Sequence, residues 1–309
     1  MNPPKNITIL AGGIGGSKIV EGFARLHDQH TLTVIGNTGD DIERHGLWVS
    51  PDMDIITYSL AHVVDREKGW GFKNETFQAL RALGELGEEV WMNLGDQDLA
   101  THIYRTHLRR QGLRPTDIAL KIAEKLGVTT PILVPTDDVI QTMILTEKGW
   151  LNFQEFYVRE KCEREVLDID YHGAQQAKPT PEVLDVLSRS DLMIIAPSNP
   201  LGSIGPILAI PGIREALIQA PALKIAVSPI VGGLSLKGPA HKMLSAKGYT
   251  VDPLGVAGYY SPLIQGIVID TQDKKYKDAL EDAGLEVYIT DTIMKTQEDK
   301  ERVAGSILP

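Results

Sequence analysis

The sequence predicts an α/β protein built on a Rossmann-like, doubly wound and mostly parallel sheet, with a small inserted α/β subdomain that contains a β-hairpin. Short apolar stretches recur along the chain between Gly, Pro, Asn or Asp, and several of them are apolar at consecutive positions. Such runs are typical of parallel strands that are covered on both faces. Helical patterns alternate with these runs, which favours a sheet with helices on both sides and ligands at the carboxyl ends of its strands.

Each element is predicted from its local pattern. The strands are expected at residues 7–10, 32–35, 132–134, 192–196, 225–228, 266–270 and 286–290, and residues 90–91 are expected to end a further strand. The helices are expected at residues 19–27, 99–110, 116–126, 181–190 and 274–283. The third of these has Pro115 before it, Gly127 after it and an apolar stripe along one face. Gly284 is placed to cap the last one.

One region departs from this alternation. Residues 141–146 and 151–158 flank a turn and predict a β-hairpin, which the polar residues 159–178 extend. We therefore expect a Rossmann-like core over residues 1–136 and 180–309, and an inserted hairpin subdomain over residues 137–179.

The composition of the chain excludes several classes of protein and kinds of site. The chain has 309 residues, of which 42% are hydrophobic. Its formal net charge of -10 argues against a nucleic-acid-binding surface, because binding to the phosphate backbone requires clustered Lys and Arg. The single cysteine, Cys162, excludes an internal disulfide and a Cys-based zinc site. Residues 1–6 lack the apolar segment of a signal peptide, and no stretch approaches the roughly 20 apolar residues of a membrane span. We expect a cytoplasmic protein with neither a nucleic-acid nor a membrane partner.

A glycine-rich turn follows the first predicted strand, with Gly12, Gly13, Gly15 and Gly16 ahead of Lys18. The third glycine of a dinucleotide fingerprint would fall on Lys18, and the Gly-Lys-Ser/Thr order of a P-loop is absent. The turn still offers close backbone approach and the amides of a helix N-terminus to an anion. The four glycines are therefore candidate phosphate or diphosphate contacts, and a tight turn without a ligand is the alternative.

Four carboxylates lie beyond the second predicted strand. Asp40 and Asp41 follow Asn37, and Asp52 and Asp54 complete a group that spans 15 positions. A bound hard cation would offset the repulsion between these side chains. Helix capping is the alternative, above all for Asp54, which directly precedes an apolar run.

Two further loops carry polar candidates. Asn93, Asp96 and Asp98 precede a predicted helix that contains His102, and helix capping is the alternative function of the two acids. Residues 197–200 read Pro-Ser-Asn-Pro after a strong strand and suit the recognition of a base or a phosphate, whereas a plain β-turn is the alternative.

Taken in order, these motifs resemble the CofD family, the 2-phospho-L-lactate transferases of coenzyme F-420 biosynthesis. The resemblance runs almost from end to end of the chain. Its segments are residues 10–13, 37–41, 45–47, 50–54, 70–71, 94–102, 153–156, 197–200, 228–230 and 291–292. Each is weak alone, but their order and spacing together are specific.

The resemblance implies a reaction. A guanosine diphosphate diester of lactate, or of enolpyruvate, donates its phospho-acid unit to the ribityl hydroxyl of the deazaflavin FO. GMP leaves, and coenzyme F-420-0 or its dehydro form results. The resemblance also implies dependence on Mg2+, a homodimer, and a core that binds the nucleotide and FO. The sequence does not distinguish the two donors.

The resemblance assigns roles by motif. Asp41 and Asp52 are the expected metal ligands, with Asp41 also in a catalytic role, and Asp54 is placed to orient or deprotonate the attacking hydroxyl. The expected substrate-binding residues are Gly12, Gly13, Gly15, Gly16, Asn37, Asp54, Asn93, Asp96, Ser198 and Asn199.

Two alternatives remain open at this point. A YvcK-like regulator that binds a nucleotide sugar without turnover shares the glycine turn and an Asp-Asp motif, but residues 95–98 and 70–71 match the transferases instead. An NAD(P)-dependent oxidoreductase is suggested by the fold alone and lacks the complete glycine fingerprint.

Overall fold

The computed structural model describes residues 5–26 and 30–308, and its main sheet has seven parallel strands. The strands of the chain are β1 (Asn6–Ala11), β2 (Thr31–Gly36), β3 (Ile42–Arg44), β4 (Leu47–Val49), β5 (Ile132–Leu133), β6 (Gln141–Thr146), β7 (Gly149–Asn152), β8 (Asp168–His172), β9 (Leu192–Ile195), β10 (Leu223–Val227), β11 (Ile230–Val231), β12 (Leu234–Ser235), β13 (Gly266–Asp270) and β14 (Glu286–Thr290). The order in the main sheet is β14-β13-β10-β9-β1-β2-β5. These are the seven strands that the sequence predicts, so the fold class is confirmed.

Helices cover both faces of this sheet. They are α1 (Gly13–Arg25), α2 (Pro51–Leu60), α3 (Gln78–Glu85), α4 (Asp96–Arg110), α5 (Pro115–Lys125), α6 (Pro181–Arg189), α7 (Gly205–Leu208), α8 (Ile213–Gln219), α9 (Ala240–Ala246), α10 (Pro253–Tyr260), α11 (Lys277–Asp282) and α12 (Gln297–Gly305). Alternate residues of β1 show the two layers: Ile9 belongs to the core formed with α1, α2 and α12, whereas Leu10 belongs to the core formed with α6 to α11. Successive side chains of a strand point to opposite faces, so each face buries its own apolar layer.

The strand order reverses between β1 and β9. The chain runs outward from β1 through β2 to β5 on one side, and from β9 through β10 and β13 to β14 on the other. In open α/β sheets this switch point leaves a crevice at the carboxyl ends of the two central strands, because their connections depart in opposite directions. The glycine turn after β1 and the loop after β9 flank that crevice.

Several local predictions are wrong. The second arm of the hairpin is strand β7, which ends at Asn152, and Glu155–Arg159 forms a helical turn in which only Phe156 is buried. Residues 90–91 lie in a loop rather than at a strand end. The predicted helix at 274–283 is a 3-10 turn over Thr271–Tyr276 followed by α11. Helix α4 begins at Asp96, three residues before its predicted start. His27, the predicted end of the first helix, lies outside the described residues.

Three small antiparallel sheets complete the fold: β3 with β4, β11 with β12, and β7-β6-β8. The buried residues Ile144 and Ile169 of the last sheet pack into the same core as Leu10 of β1. The division into a core and an inserted subdomain stays a prediction. Within the described residues no single helix has the length and apolar content of a membrane span, although Pro200–Leu208 and Ile213–Gln219, bent by 86°, pass that test as a pair.

Candidate active site

A cavity of about 790 Å3 opens at the carboxyl edge of the main sheet. The loops that follow β1, β9, β10 and β14 line it, and they contribute Gly12, Ser198, Ser228 and Thr292, respectively. The first turn of α2 and the segment before α4 form the opposite wall. Since both crevice-flanking loops of the switch point reach it, this cavity is the candidate active site.

The glycine turn packs directly against the loop after β9. The Gly12 amide donates to Ser198 Oγ (3.1 Å), and that hydroxyl lies 2.7 Å from the carbonyl oxygen of Gly12. A Cβ at Gly15 would lie 2.3 Å from the carbonyl oxygen of Pro197, and one at Gly16 would lie 2.7 Å from Ser198 Oγ. These two glycines are therefore required by close packing. Gly12, Gly13 and Gly15 line the cavity, whereas Gly16 does not.

Helix α1 begins at this turn without a side-chain cap. The Gly13 amide donates to the Asp52 carboxylate, and the helix dipole favours an anion at this end of the cavity. Gly13 adopts φ +64°, a conformation in which glycine is strongly favoured.

Asp52 and Asp40 line the cavity as a pair of buried carboxylates for which the described residues supply no cationic partner. Asp52 Oδ2 accepts a hydrogen bond from Asn37 Nδ2 (2.9 Å), and burial raises the pKa of Asp52 to about 6. Burial, followed by the charge of Asp52, raises the pKa of Asp40 well above its usual value. Asn37 itself does not line the cavity and holds Asp52 from behind. The two carboxylates are close enough that the negative charge of one disfavours ionisation of the other.

The side chain of Asp41 does not line the main cavity, although Asp40 next to it in the chain does. Its Oδ2 accepts hydrogen bonds from Trp48 Nε1 and Ser50 Oγ, both at 2.8 Å, and burial raises its pKa to about 7. The residue lines a separate cavity of about 30 Å3, together with Arg105 and Arg109. The structure thus does not bring Asp41 and Asp52 to one surface.

Asp54 lines the main cavity and belongs to a buried polar network. Arg105 Nη1 donates to Asp54 Oδ2 (3.0 Å) and Arg105 Nη2 donates to Asp54 Oδ1. His102 Nδ1 lies 3.2 Å from Arg105 Nη1, and His102 Nε2 lies 3.4 Å from Asp98 Oδ1. The Tyr58 hydroxyl donates to the same Asp98 oxygen at 2.7 Å. Burial raises the pKa of Asp54, and the positive charge of Arg105 opposes that rise.

Asp54, Asp98 and His102 form a possible metal-binding triad, since their ligand atoms lie within 4.8 Å of one another. Their environment differs from that of Asp40 and Asp52. Arg105 neutralises Asp54 and occupies one nitrogen of His102, whereas the described residues supply no cation to Asp40 or Asp52. The pair Asp40 and Asp52 is therefore the better match to a hard cation.

Positive charge and apolar surface occupy other walls of the cavity. Four lysines reach it: Lys18 from helix α1, and Lys68, Lys237 and Lys295 from three different loops. Burial, and then the charge of Lys237, lower the pKa of Lys18, whose Nζ donates to the carbonyl oxygen of Met294 (2.6 Å). The apolar lining includes Ile14, Trp70, Met92, Leu94, Phe153, Tyr157 and Leu236.

The remaining predicted site residues divide into two groups. Asn93, Ser198 and Asn199 line the cavity. Asp96 does not: its carboxylate accepts hydrogen bonds from the amides of Gln78 (3.1 Å) and Ala79 (3.0 Å) at the start of α3. Asp96 thus caps α3, the preceding helix, whereas the alternative that the sequence left open was a cap on the helix that follows it.

Arg105 and Tyr58 were not identified as site residues from the sequence. Nor were Lys18, Lys68 and Lys295, three of the four lysines that line the cavity. A signal for Arg105 exists. Asp98, His102 and Arg105 follow one another at helical positions i, i+4 and i+7, so they share one face of α4. A buried acid–histidine–arginine stripe of this kind is unusual on a helix, because charged side chains are rarely buried unless they are paired.

Comparison with known proteins identifies relatives over the whole chain. The family model described as 2-phospho-L-lactate transferase CofD matches residues 7–307. The chain is 38% identical over 300 residues to 2-phospho-L-lactate transferase of Methanosarcina acetivorans, covering 97% of each chain. It is 37% identical over 306 residues to the same enzyme of Methanocaldococcus jannaschii, covering 98% of this chain and 97% of the relative. It is 39% identical over 285 residues to a phosphoenolpyruvate transferase of Streptomyces griseus, covering 90% of each.

Solved structures agree on the fold. The crystal structure of protein BH3568 from Bacillus halodurans matches with a TM-score of 0.67 at 16% identity, covering 99% of this chain and all of that one. At this identity the likeness is one of fold alone, whereas the sequence matches above extend over the glycine turn, the acidic segments and the loop after β9. The chain therefore belongs to the CofD family, the 2-phospho-L-lactate transferases of coenzyme F-420 biosynthesis.

Proposed function

We propose that this protein transfers a 2-phospholactate or phosphoenolpyruvate unit from a guanosine diphosphate diester to the ribityl hydroxyl of the deazaflavin FO. The hydroxyl oxygen forms a bond to the phosphorus that carries the acid, the bond from that phosphorus to the GMP oxygen breaks, and the hydroxyl proton is lost. The products are GMP and coenzyme F-420-0 or its dehydro form. Such a reaction depends mainly on alignment and on stabilisation of charge at the phosphate oxygens.

One observation carries the proposal: a single cavity combines four chemically distinct walls, one of which is acidic. Backbone amides at the start of α1 and the four lysines suit the anionic diphosphate and the carboxylate of the donor. Ser198 and Asn199 suit the guanosine nucleotide, and the aromatic and aliphatic wall suits the deazaflavin ring. About 790 Å3 is within the range of pockets that hold molecules of this size.

The acidic wall fits the Mg2+ that the resemblance implies. Asp40 Oδ1 is buried and has no hydrogen-bond partner among the described residues, and Asp52 shares its cavity. We propose Asp52 and Asp40 as the residues that would hold the ion. When bound, Mg2+ would neutralise phosphate charge and make GMP a better leaving group. Asp41, predicted alongside Asp52, would act from the far side through Trp48 and Ser50.

The metal assignment has a direct test. Mn2+, used as a paramagnetic probe, should bind the wild-type protein and bind Asp52→Asn at least about tenfold more weakly, since a ligand charge is lost. Asp98→Asn is the comparison variant and should retain the affinity of the wild type. If the Asp98 variant loses Mn2+ and the Asp52 variant keeps it, the triad of Asp54, Asp98 and His102 is the metal site.

Asp54 and Asn93 would face FO. Asp54 lines the cavity close to Asp52, so its carboxylate is placed to accept a hydrogen bond from the attacking hydroxyl next to the phosphate group. Asn93 is exposed to the cavity and offers both a donor and an acceptor.

The decisive experiment follows GMP release by chromatography with FO, Mg2+ and either the lactyl or the enolpyruvyl donor. Release that requires all three components supports the transferase, and the mass of the deazaflavin product identifies the preferred donor. No release with either donor, together with binding of a UDP-sugar without turnover, would instead favour the YvcK-like alternative.

The resemblance also implies a homodimer, which we include in the proposal together with the cytoplasmic location expected from the sequence. Sedimentation equilibrium at micromolar concentration tests the first, with a mass twice that of the 33.9 kDa chain expected. Cell fractionation tests the second.

A further inference from the structure

Arg105 is a buried charge that the reaction described above does not use. Its side chain is 7% exposed and lies on α4, behind the wall of the main cavity. Burying a guanidinium is unfavourable unless hydrogen bonds and an opposite charge compensate for the lost hydration. Its partners therefore indicate why it is there.

Those partners converge on Asp54. Both terminal nitrogens of Arg105 donate to the Asp54 carboxylate, one to each oxygen. A bidentate pair of this kind fixes the plane of the carboxylate as well as its position. Each carboxylate oxygen has two lone pairs, so one on each oxygen remains for a group in the main cavity.

Arg105 also determines how His102 is oriented. A guanidinium has no lone pair, so its Nη1, 3.2 Å from His102 Nδ1, must be the donor in that contact. His102 Nε2 faces Asp98 Oδ1 at 3.4 Å, and Tyr58 donates to the same Asp98 oxygen. Tyr58 and His102 thus both lie against Asp98 Oδ1, and Arg105 contacts His102 as well as Asp54.

We propose that Arg105 is a positioning residue, which holds the Asp54 carboxylate in the one orientation that presents it to the attacking hydroxyl. This inference rests on the proposed function. Arg105 itself does not line the main cavity, so it acts on the reaction only through Asp54. A displacement of about 1 Å in such a supporting contact can lower turnover by about a hundredfold.

A purely structural ion pair makes a different prediction. Loss of Arg105 would then lower stability and leave the turnover of the folded enzyme unchanged. A positioning residue changes kcat, and its effect disappears once the residue that it positions is gone.

The test is a double-mutant cycle of Arg105→Lys and Asp54→Asn, with Arg110→Lys as the matched control. Lysine keeps the charge at position 105 but cannot form the bidentate contact. Arg110 lies on the same helix, and its side chain donates to the carbonyl oxygen of Gly46 far from Asp54. Folding of each variant is verified by circular dichroism. If Arg105→Lys does not fold, Arg105→Gln takes its place.

We expect Arg105→Lys to lower kcat for FO by about 10- to 100-fold, with the KM of the donor changed less than about twofold. In the Asp54→Asn background the same substitution should change the residual kcat less than about twofold, and Arg110→Lys should have no effect in either. FO binding, followed by deazaflavin fluorescence without donor, should weaken less than kcat falls. If the wild type releases GMP and Arg105→Lys lowers kcat equally in both backgrounds, or in neither, the inference is overturned. If the wild type releases no GMP, the proposed function is wrong, and the inference about Arg105 is then wrong as well.

Discussion

Replacing Asp52 by asparagine should make the metal-free protein more stable and the enzyme less active. Asp52 is buried beside Asp40, and the hydrogen bond from Asn37 is donated by a neutral group. No cation among the described residues offsets its charge. Asparagine has the same shape, keeps an oxygen for the Asn37 hydrogen bond and carries no charge.

The pKa of Asp52 determines the size of the effect. Burial raises it from 3.8 to about 6, so the folded state holds a proton that the unfolded state has lost over this interval. Stability therefore falls as the pH rises through this window, by a total of about 3 kcal/mol at pH 8, of which roughly half develops above pH 5. Asparagine at position 52 does not titrate, so the variant does not lose this stability. The difference in free energy of unfolding between Asp52→Asn and the wild type should therefore grow from pH 5 to pH 8 by the part that develops above pH 5.

Urea unfolding with EDTA at the two pH values measures the difference, and a repeat with Mg2+ at pH 8 should remove most of the advantage of Asp52→Asn. Mg2+ at 100 times its dissociation constant should stabilise the wild type by about 2.7 kcal/mol and Asp52→Asn by much less. Asp96→Asn is the control, because it should change the free energy of unfolding in the opposite direction. The hydrogen bond from Thr76, and then that from the Ala79 amide, lower the pKa of Asp96, so this carboxylate stabilises the fold above its usual pKa and its loss should destabilise at pH 8. An Asp52→Asn protein whose stability relative to the wild type did not change with pH would contradict the argument.

Four further predictions follow from named contacts. Asp54→Asn should lower kcat with FO by about a hundredfold and leave the donor KM within about twofold in steady-state assays, and a loss confined to donor affinity would contradict its role. Asp41→Asn should lower activity, yet shift the Mg2+ titration much less than Asp52→Asn does, because Asp41 lies outside the main cavity; an equal shift would restore it as a ligand. Gly15→Ala should lower the free energy of unfolding by about 1–3 kcal/mol, since its Cβ would lie 2.3 Å from the Pro197 carbonyl oxygen, and unchanged thermal unfolding would contradict this contact. Lys237→Gln should raise the donor KM several-fold and make it less sensitive to salt, and an unchanged salt dependence would remove Lys237 from the donor site.

The main sheet was predictable because its signal is local. Each of its seven strands is a short apolar run next to a turn residue, and parallel strands buried on both faces need no pattern beyond this. The sequence also identified the loops at the switch point, since glycine and short polar residues directly follow β1 and β9. Asp96 shows the limit of this approach: its position predicts a site residue or a cap on the following helix, but its carboxylate caps α3, the helix before it in the chain.

The hairpin region was less predictable. Residues 151–158 contain the apolar and aromatic residues expected of a strand, but the chain turns into a helical segment after Asn152. There Phe156 is buried in the core and Tyr157 lines the cavity. Packing against other elements outweighs strand propensity in such short segments.

The amino-acid sequence alone establishes the α/β architecture and the crowding of acids and glycines at one sheet edge, because apolar runs and turn residues act on their own neighbourhoods. The direction in which each acid points depends on the three-dimensional packing. Asp40 and Asp41 are adjacent in the chain, yet one lines the main cavity and the other a small one behind it. Asp54 is held by Arg105 from 51 positions away. Such contacts join separate elements, and they exist only once the fold has brought those elements together.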